Sequence, residues 1–152
     1  MVAFFLKIAN RFREIYWRIF KPKSFGVRVL VINNGRILLV RHHYCKGFYL
    51  PGGGVKKGEI PSEAAKREIS EECGLLLENI ELLGEYANDH EGKKDTITLF
   101  LAKIEDGVDP KPGWEIKFCN YFSFGTLPAN ISPGTVRRIE EYKNNKFKGG
   151  VW

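Results

Sequence analysis

Residues 50–75 read LPGGGVKKGEIPSEAAKREISEECGL. Pro61 suits a first helical turn and Gly74 the position just past a last one, so a helix is expected over 61–73. At 3.6 residues per turn, Ala65, Ile69 and Cys73 form one stripe, a core face. Glu68, Glu71 and Glu72 then fall within about 100° of one another on the neighbouring face. Like charges one turn apart repel by a few tenths of a kcal/mol each, and the C-terminal half of a helix disfavours anions. A hard divalent cation removes both costs, because carboxylate oxygens are the ligands that Mg²⁺ prefers. Gly52, Gly53, Gly54 and Gly58 surround the turn into this helix, where missing side chains let backbone approach a phosphate or metal closely. Taken singly, the acidic face reads as a solvated surface and the glycines as an ordinary turn. In combination they are the equipment for hydrolysing a phosphoanhydride.

The spacing is specific. Gly53, five residues, Glu59, seven residues, then Arg67-Glu68-Ile69-Ser70-Glu71-Glu72-Cys73-Gly74-Leu75 fill nine defined positions within 23 residues. On these residues the chain resembles the Nudix superfamily, and specifically its MutT-like members. The likeness extends over residues 25–145 and includes Leu50-Pro51-Gly52-Gly53 and Leu127-Pro128 before a final helix. It implies a Nudix fold, an α/β/α sandwich around a mixed β-sheet. It implies that Glu68, Glu71 and Glu72 bind Mg²⁺ or Mn²⁺ with help from the backbone carbonyl of Gly52. Arg67 would clamp and orient a catalytic glutamate, Glu68 would take the proton of the attacking water, and Glu59 would orient the site or assist as base. A distal acid often completes the metal site in this family. Glu115, six residues before Tyr121-Phe122, is the candidate, with an ordinary surface glutamate as the alternative. Two departures stand out: Ile60 where a hydroxyl residue often caps the helix, at a cost of about 1 kcal/mol, and Lys56 where many relatives carry glutamate.

Outward from the motif, Gly26–Ile32 and Arg36–Val40 are β-branched or leucine-rich runs separated by Asn33-Asn34-Gly35, a strong hairpin signal. Strands are expected near 80–86, 96–104 and 117–124, and a last helix over 135–144 with Ser132 and Pro133 before it. Strands mixed with two helices after a leading hairpin suit an α/β sandwich. Cys45, Cys73 and Cys119 are far apart in sequence, odd in number and without a C-x-x-C pair, so neither a disulfide framework nor zinc is expected, and a cytoplasmic setting is. His42 and His43, with no acid at ligand spacing, read as surface residues.

Of the net charge of +6, residues 1–24 carry +5, so the basicity belongs to an N-terminal arm. Phe5, Ile8, Phe12, Ile15 and Ile19 recur at helical spacing and predict an added amphipathic helix over 2–20, ended by Pro22. The arm, residues 1–24, is separate from a hydrolase domain over 25–152. Packing on the sheet or a homodimer interface best explains its broad apolar face. A peripheral contact with the inner membrane surface comes second, and no stable nucleic-acid complex is expected.

For the substrate, a nucleotide-type diphosphate, family signatures of ADP-ribose and dinucleoside-polyphosphate enzymes are absent from Asn88–Lys93, which leaves a nucleoside triphosphate pyrophosphohydrolase of MutT type. Pro128-Ala129-Asn130 resembles the segment whose asparagine reads a guanine edge in such enzymes, although an ordinary turn fits as well. Gly53 and Gly54 would accommodate phosphates, and Tyr49, Phe48 or Phe122 could stack a base. Hydrolysis of ADP-ribose or a nucleotide sugar, or of an RNA 5′ end, stays open. A non-catalytic nucleotide-sensing module is disfavoured because Glu59, Glu68, Glu71 and Glu72 are all retained.

Overall fold

The computed structural model describes residues 23–88, 94–105 and 107–152. The amphipathic helix expected over 2–20 lies outside the described residues. In chain order the elements are β1 (Lys23–Asn33), β2 (Arg36–His42), α1 (Pro61–Cys73), β3 (Glu81–Asn88), β4 (Lys94–Lys103), β5 (Ile116–Ser123), α2 (Pro133–Asn144) and β6 (Gly150–Val151). The six strands form one mixed sheet in the order β5-β2-β1-β4-β3-β6. β1 runs parallel to β4 and β3 parallel to β6, while the other neighbours are antiparallel.

Alternation along β1 sorts its side chains between two cores. Val27, Val29 and Val31 face α1, joining Ala64, Ala65, Ile69 and Cys73, the stripe expected for that helix. Leu30 and Ile32 face the other way, toward Ile139 of α2. With a helix on each face, the sheet is the middle layer of the expected sandwich. The central strands are apolar on both faces for this reason, so they read as continuous runs.

The leading hairpin turns at Asn34 and Gly35, both at positive φ (47° and 69°), as a two-residue turn of this type requires. Helix α1 begins and ends where Pro61 and Gly74 predict, and Ile60 supplies no side-chain cap. At the start of α2, Ser132 does cap: its hydroxyl oxygen accepts from the backbone N–H of Thr135. β6 was not expected. It pairs with β3 and brings Trp152 against Tyr86, with ring centroids 5.7 Å apart. The three cysteines are free, but Cys73 and Cys119 meet between α1 and β5. The Cys119 contact and burial together push the Cys73 thiol well above its ordinary range. No helix among the described residues is long and apolar enough to cross a membrane.

β1 and β2 pair only beside their turn, at Ile32↔Ile37 and Asn33↔Arg36, and then separate. Residues 49–55 thread the gap. Tyr49 exchanges two backbone hydrogen bonds with Val40 (3.0 and 2.9 Å), Val29 N–H donates to Pro51 O (3.0 Å), and Val27 N–H donates to Gly53 O (2.8 Å). The glycine-rich loop is thereby pinned on both sides.

Candidate active site

Helix α1 lays its acidic face over this pinned loop. Gly52 has φ 143°, and a Cβ on it would stand 2.1 Å from Val27 O, so only glycine fits. Its N–H donates to Glu72 Oε2 at 2.9 Å. At Gly53 a Cβ would meet Glu68 Cδ at 2.5 Å, so the Glu68 carboxylate occupies the space a side chain would take. These two contacts explain why adjacent glycines precede this helix: each lets one carboxylate close onto the backbone.

Arg67 ties the acids together. Its Nε and Nη2 form a fork on Glu59 (2.7 Å to Oε1, 3.0 Å to Oε2). Nη1 donates to Glu68 Oε1 at 2.6 Å and to Glu71 Oε2 at 3.2 Å, and Nη2 also reaches Gly54 O at 2.9 Å. One guanidinium therefore spans Glu59, Glu68 and Glu71, using the planar donor geometry that lysine lacks. Its bonds, with the Lys56 N–H, hold the Glu59 carboxyl down to about 2. The opposite holds for Glu68, which burial pushes above the ordinary carboxylate range. Arg67 pulls it back, and the charges of Glu72 and Glu71 add to the rise.

Glu72 is the buried member, 7% exposed. Besides Gly52 N–H it meets His42 Nε2, 3.0 Å from its Oε1. His42 is itself buried, which overturns the expectation of a surface histidine. The acid that partners it lies 30 residues away on α1, and an irregularity in the β2–β5 register falls between Arg41 and His42. Such bulges re-aim side chains.

The remaining expected residues are distributed around this cluster. The carbonyl of Gly52 accepts from Arg28 Nη1 at 2.8 Å, leaving it a second lone pair. Glu115 is exposed on the loop before β5, and its carbonyl accepts from His43 N–H at 3.2 Å. That loop closes the end of α1: Lys111 N–H donates to Cys73 O (2.8 Å) and Gly113 N–H to Glu72 O (2.9 Å). Tyr49 is half-buried against the α1 core, and Phe48 is buried in the other core, 5.4 Å from Phe122 by ring centroids. Asn130 packs beside the loop at 46–48: its amide nitrogen donates to Lys46 O, and its backbone carbonyl accepts from Phe48 N–H at 2.9 Å. Gly54 faces open space, and a cleft of about 470 Å³ passes it and Gly53, bounded by Phe25, Arg28, Asn88 and Asp95.

Do these residues suit a divalent cation? Among the described residues, no three histidine, cysteine, aspartate or glutamate side chains stand ready as a closed cage. The donors are instead carboxylates arrayed along one ridge, and Glu68 carries a desolvation penalty that a cation would relieve. That donor set fits a metal held by a few carboxylates together with substrate phosphates and water, and does not fit a structural zinc.

Comparison with known proteins agrees with this geometry. The NUDIX domain family matches residues 22–142. A Bacillus subtilis protein provisionally named an 8-oxo-dGTP diphosphatase is 35% identical over 120 residues, 78% of this chain and 79% of the relative. An ADP-ribose pyrophosphatase of Methanocaldococcus jannaschii is 32% identical over 116 residues, 74% of this chain and 69% of the relative. The crystal structure of a MutT NUDIX hydrolase from Burkholderia pseudomallei superposes with a TM-score of 0.69 at 25% identity, covering 78% of this chain and 97% of the other. The chain therefore belongs to the NUDIX domain family, hydrolases of phosphorus-containing anhydrides that generally work with a divalent metal ion.

Proposed function

We propose that the protein is a Mg²⁺-dependent pyrophosphohydrolase of MutT type, converting a nucleoside or deoxynucleoside triphosphate and water into the monophosphate and pyrophosphate. The observation that carries this reading is the state of Glu68. Its carboxylate is pressed onto Gly53, held at one oxygen by Arg67, and pushed upward in pKa by burial. A general base works best when its pKa approaches the working pH.

A divalent cation held by Glu68, Glu71 and Glu72, with the Gly52 carbonyl assisting, would neutralise phosphate charge and acidify water. Glu68 Oε2, the oxygen that Arg67 leaves free, takes the proton of the attacking water. The new P–O bond forms as the bridging P–O bond breaks, and the pyrophosphate departs with the electron pair. Arg67 fixes the direction of Glu68, and Glu59 fixes Arg67. Gly53 and Gly54 give the phosphates room along the cleft, where Arg28 adds a cation. Glu115 is the distal acid. Its loop is tied to α1 through Gly113, which supports that role. Asn130 and Tyr49 are candidate base contacts.

The second reading is hydrolysis of ADP-ribose, favoured by the archaeal relative's name. The test is direct: incubate enzyme and Mg²⁺ with dGTP, 8-oxo-dGTP, ADP-ribose and a 5′-triphosphorylated RNA, and identify products. Pyrophosphate from the triphosphates as the fastest reaction is expected. Faster release of AMP and ribose 5-phosphate from ADP-ribose moves the assignment to the second reading, and no turnover of any of them refutes both.

A further inference from the structure

Two thiols meet in the core between α1 and the sheet. Cys73 is the last residue of α1 and is fully buried. Cys119 belongs to β5, opposite Val40 of β2, and its side chain joins Val40 on the α1 face of the sheet. Each sulfur lies within hydrogen-bonding reach of the other, and the two are unbridged. They differ in access. β5 is an edge strand, and Cys119 is partly exposed while Cys73 is sealed. Cys45, the third cysteine, stands on the turn after β2, outside that core, and contacts Tyr49 instead.

An accessible thiol meets an oxidant first, and a neighbouring thiol then condenses with the product. Hydrogen peroxide supplies the oxidising equivalent. The Cys119 sulfur takes one peroxide oxygen as the O–O bond breaks. The other oxygen leaves as hydroxide and takes up the thiol proton, so a sulfenic acid and water result. The Cys73 sulfur then attacks Cys119: the S–S bond forms, the S–O bond breaks, and hydroxide leaves with the Cys73 proton as a second water. Bonded sulfurs stand about 2.05 Å apart, well inside the contact distance of two thiols, so the new bond draws α1 and β5 together. β5 is held on β2 from Arg36↔Ser123 to His42↔Ile116. The end of α1 therefore yields. The residue beside Cys73 is Glu72, whose carboxylate is held by Gly52 N–H at 2.9 Å and His42 at 3.0 Å.

We infer that Cys73 and Cys119 are a peroxide-sensitive thiol pair whose reversible disulfide pulls Glu72 off its partners and weakens the metal site. The effect on the metal rests on the hydrolase reading above; the disulfide itself does not. The reduced full chain is treated with hydrogen peroxide, digested without reductant and mapped by mass spectrometry. The same treated chain is titrated calorimetrically with Mn²⁺ and assayed on dGTP. The expected results are a linked Cys73–Cys119 peptide lacking two hydrogens, Mn²⁺ affinity about tenfold weaker, and a matching loss of turnover. Dithiothreitol should reverse all three. Cys119→Ser should start at wild-type turnover and keep it in peroxide, while Cys45→Ser responds as wild type does. Cys119 recovered as a sulfinic or sulfonic acid with Cys73 still a free thiol overturns the pair. A Cys73–Cys119 bridge that leaves Mn²⁺ affinity and turnover unchanged overturns the coupling to Glu72. If no bridge forms but the reduced chain hydrolyses triphosphates, the hydrolase reading survives that loss. If the bridge forms and Mn²⁺ affinity falls, yet the reduced chain cuts no nucleotide, the reading fails and the thiol pair stands.

Discussion

Replacing Gly53 by alanine is a perturbation whose size can be worked out from distances alone. The added methyl would lie 2.5 Å from Glu68 Cδ and Oε2 and 2.7 Å from Oε1. Carbon atoms in good contact stand about 3.5–4.0 Å apart, so something must yield by about 1 Å. The backbone cannot, since Gly53 O is bonded to Val27 N–H at 2.8 Å within the sheet. The Glu68 side chain must therefore swing away, which breaks its 2.6 Å bond to Arg67 Nη1. Misplacing a catalytic group by about 1 Å costs on the order of 100-fold in rate. The φ of Gly53 is one that alanine tolerates, so the fold itself should bear the change. The assay is kcat for pyrophosphate release from a triphosphate, paired with a thermal unfolding curve: turnover falls about 100-fold while unfolding shifts by only a few degrees. Gly54→Ala is the comparison, because its methyl meets nothing within 4 Å. It leaves Glu68 in place, so any loss there reports on substrate access. Wild-type turnover by a folded Gly53→Ala protein would refute the reasoning, because Glu68 would then be catalytically irrelevant or free to work from another position.

Further outcomes follow from the same contacts. Gly52→Ala places a methyl 2.1 Å from Val27 O at φ 143°, so it should cost about 3 kcal/mol or more in denaturant unfolding, far above Gly53→Ala. His42→Ala removes a hydrogen bond to Glu72 and should weaken Mn²⁺ binding about tenfold, read by calorimetry, with a smaller loss for His42→Gln. The raised pKa of Glu68 sets a sign for pH dependence. Its folded-state value exceeds the unfolded one, so the folded chain binds more protons between the two, and its stability falls as pH rises through that window. Metal-free Glu68→Gln should accordingly melt higher than wild type at pH 7, with the difference closing as pH falls to 4.

What the sequence made legible was periodic or punctuated. Pro61 and Gly74 bracket α1, Asn34-Gly35 marks the hairpin turn, and the acidic ridge follows from helical spacing. Those features depend on neighbours within a turn or two. The contacts that were missed join distant segments. His42 reaches Glu72 only because β2 and α1 pack together, and β2 is buried on both faces, so alternation could not sort its side chains. The threading of residues 49–55 between β1 and β2, and Arg28 on the Gly52 carbonyl, need the whole sheet before they exist. The loop at 111–113 carries no helical or strand period, so its capping of α1, and with it the placing of Trp114 and Glu115, left no local signal. β6 is two residues long. It depends on Gly134, which leaves room for the Trp152 indole, and no window of sequence could have revealed it.

If the carboxylates of α1 hold a divalent cation, anomalous scattering from crystals soaked in Mn²⁺ will locate it. A strong manganese peak is expected among Glu68, Glu71 and Glu72, and it should disappear in a crystal of Glu72→Gln. Manganese found only elsewhere on the molecule, with Arg67 still bridging Glu59, Glu68 and Glu71 as it does here, would contradict that binding.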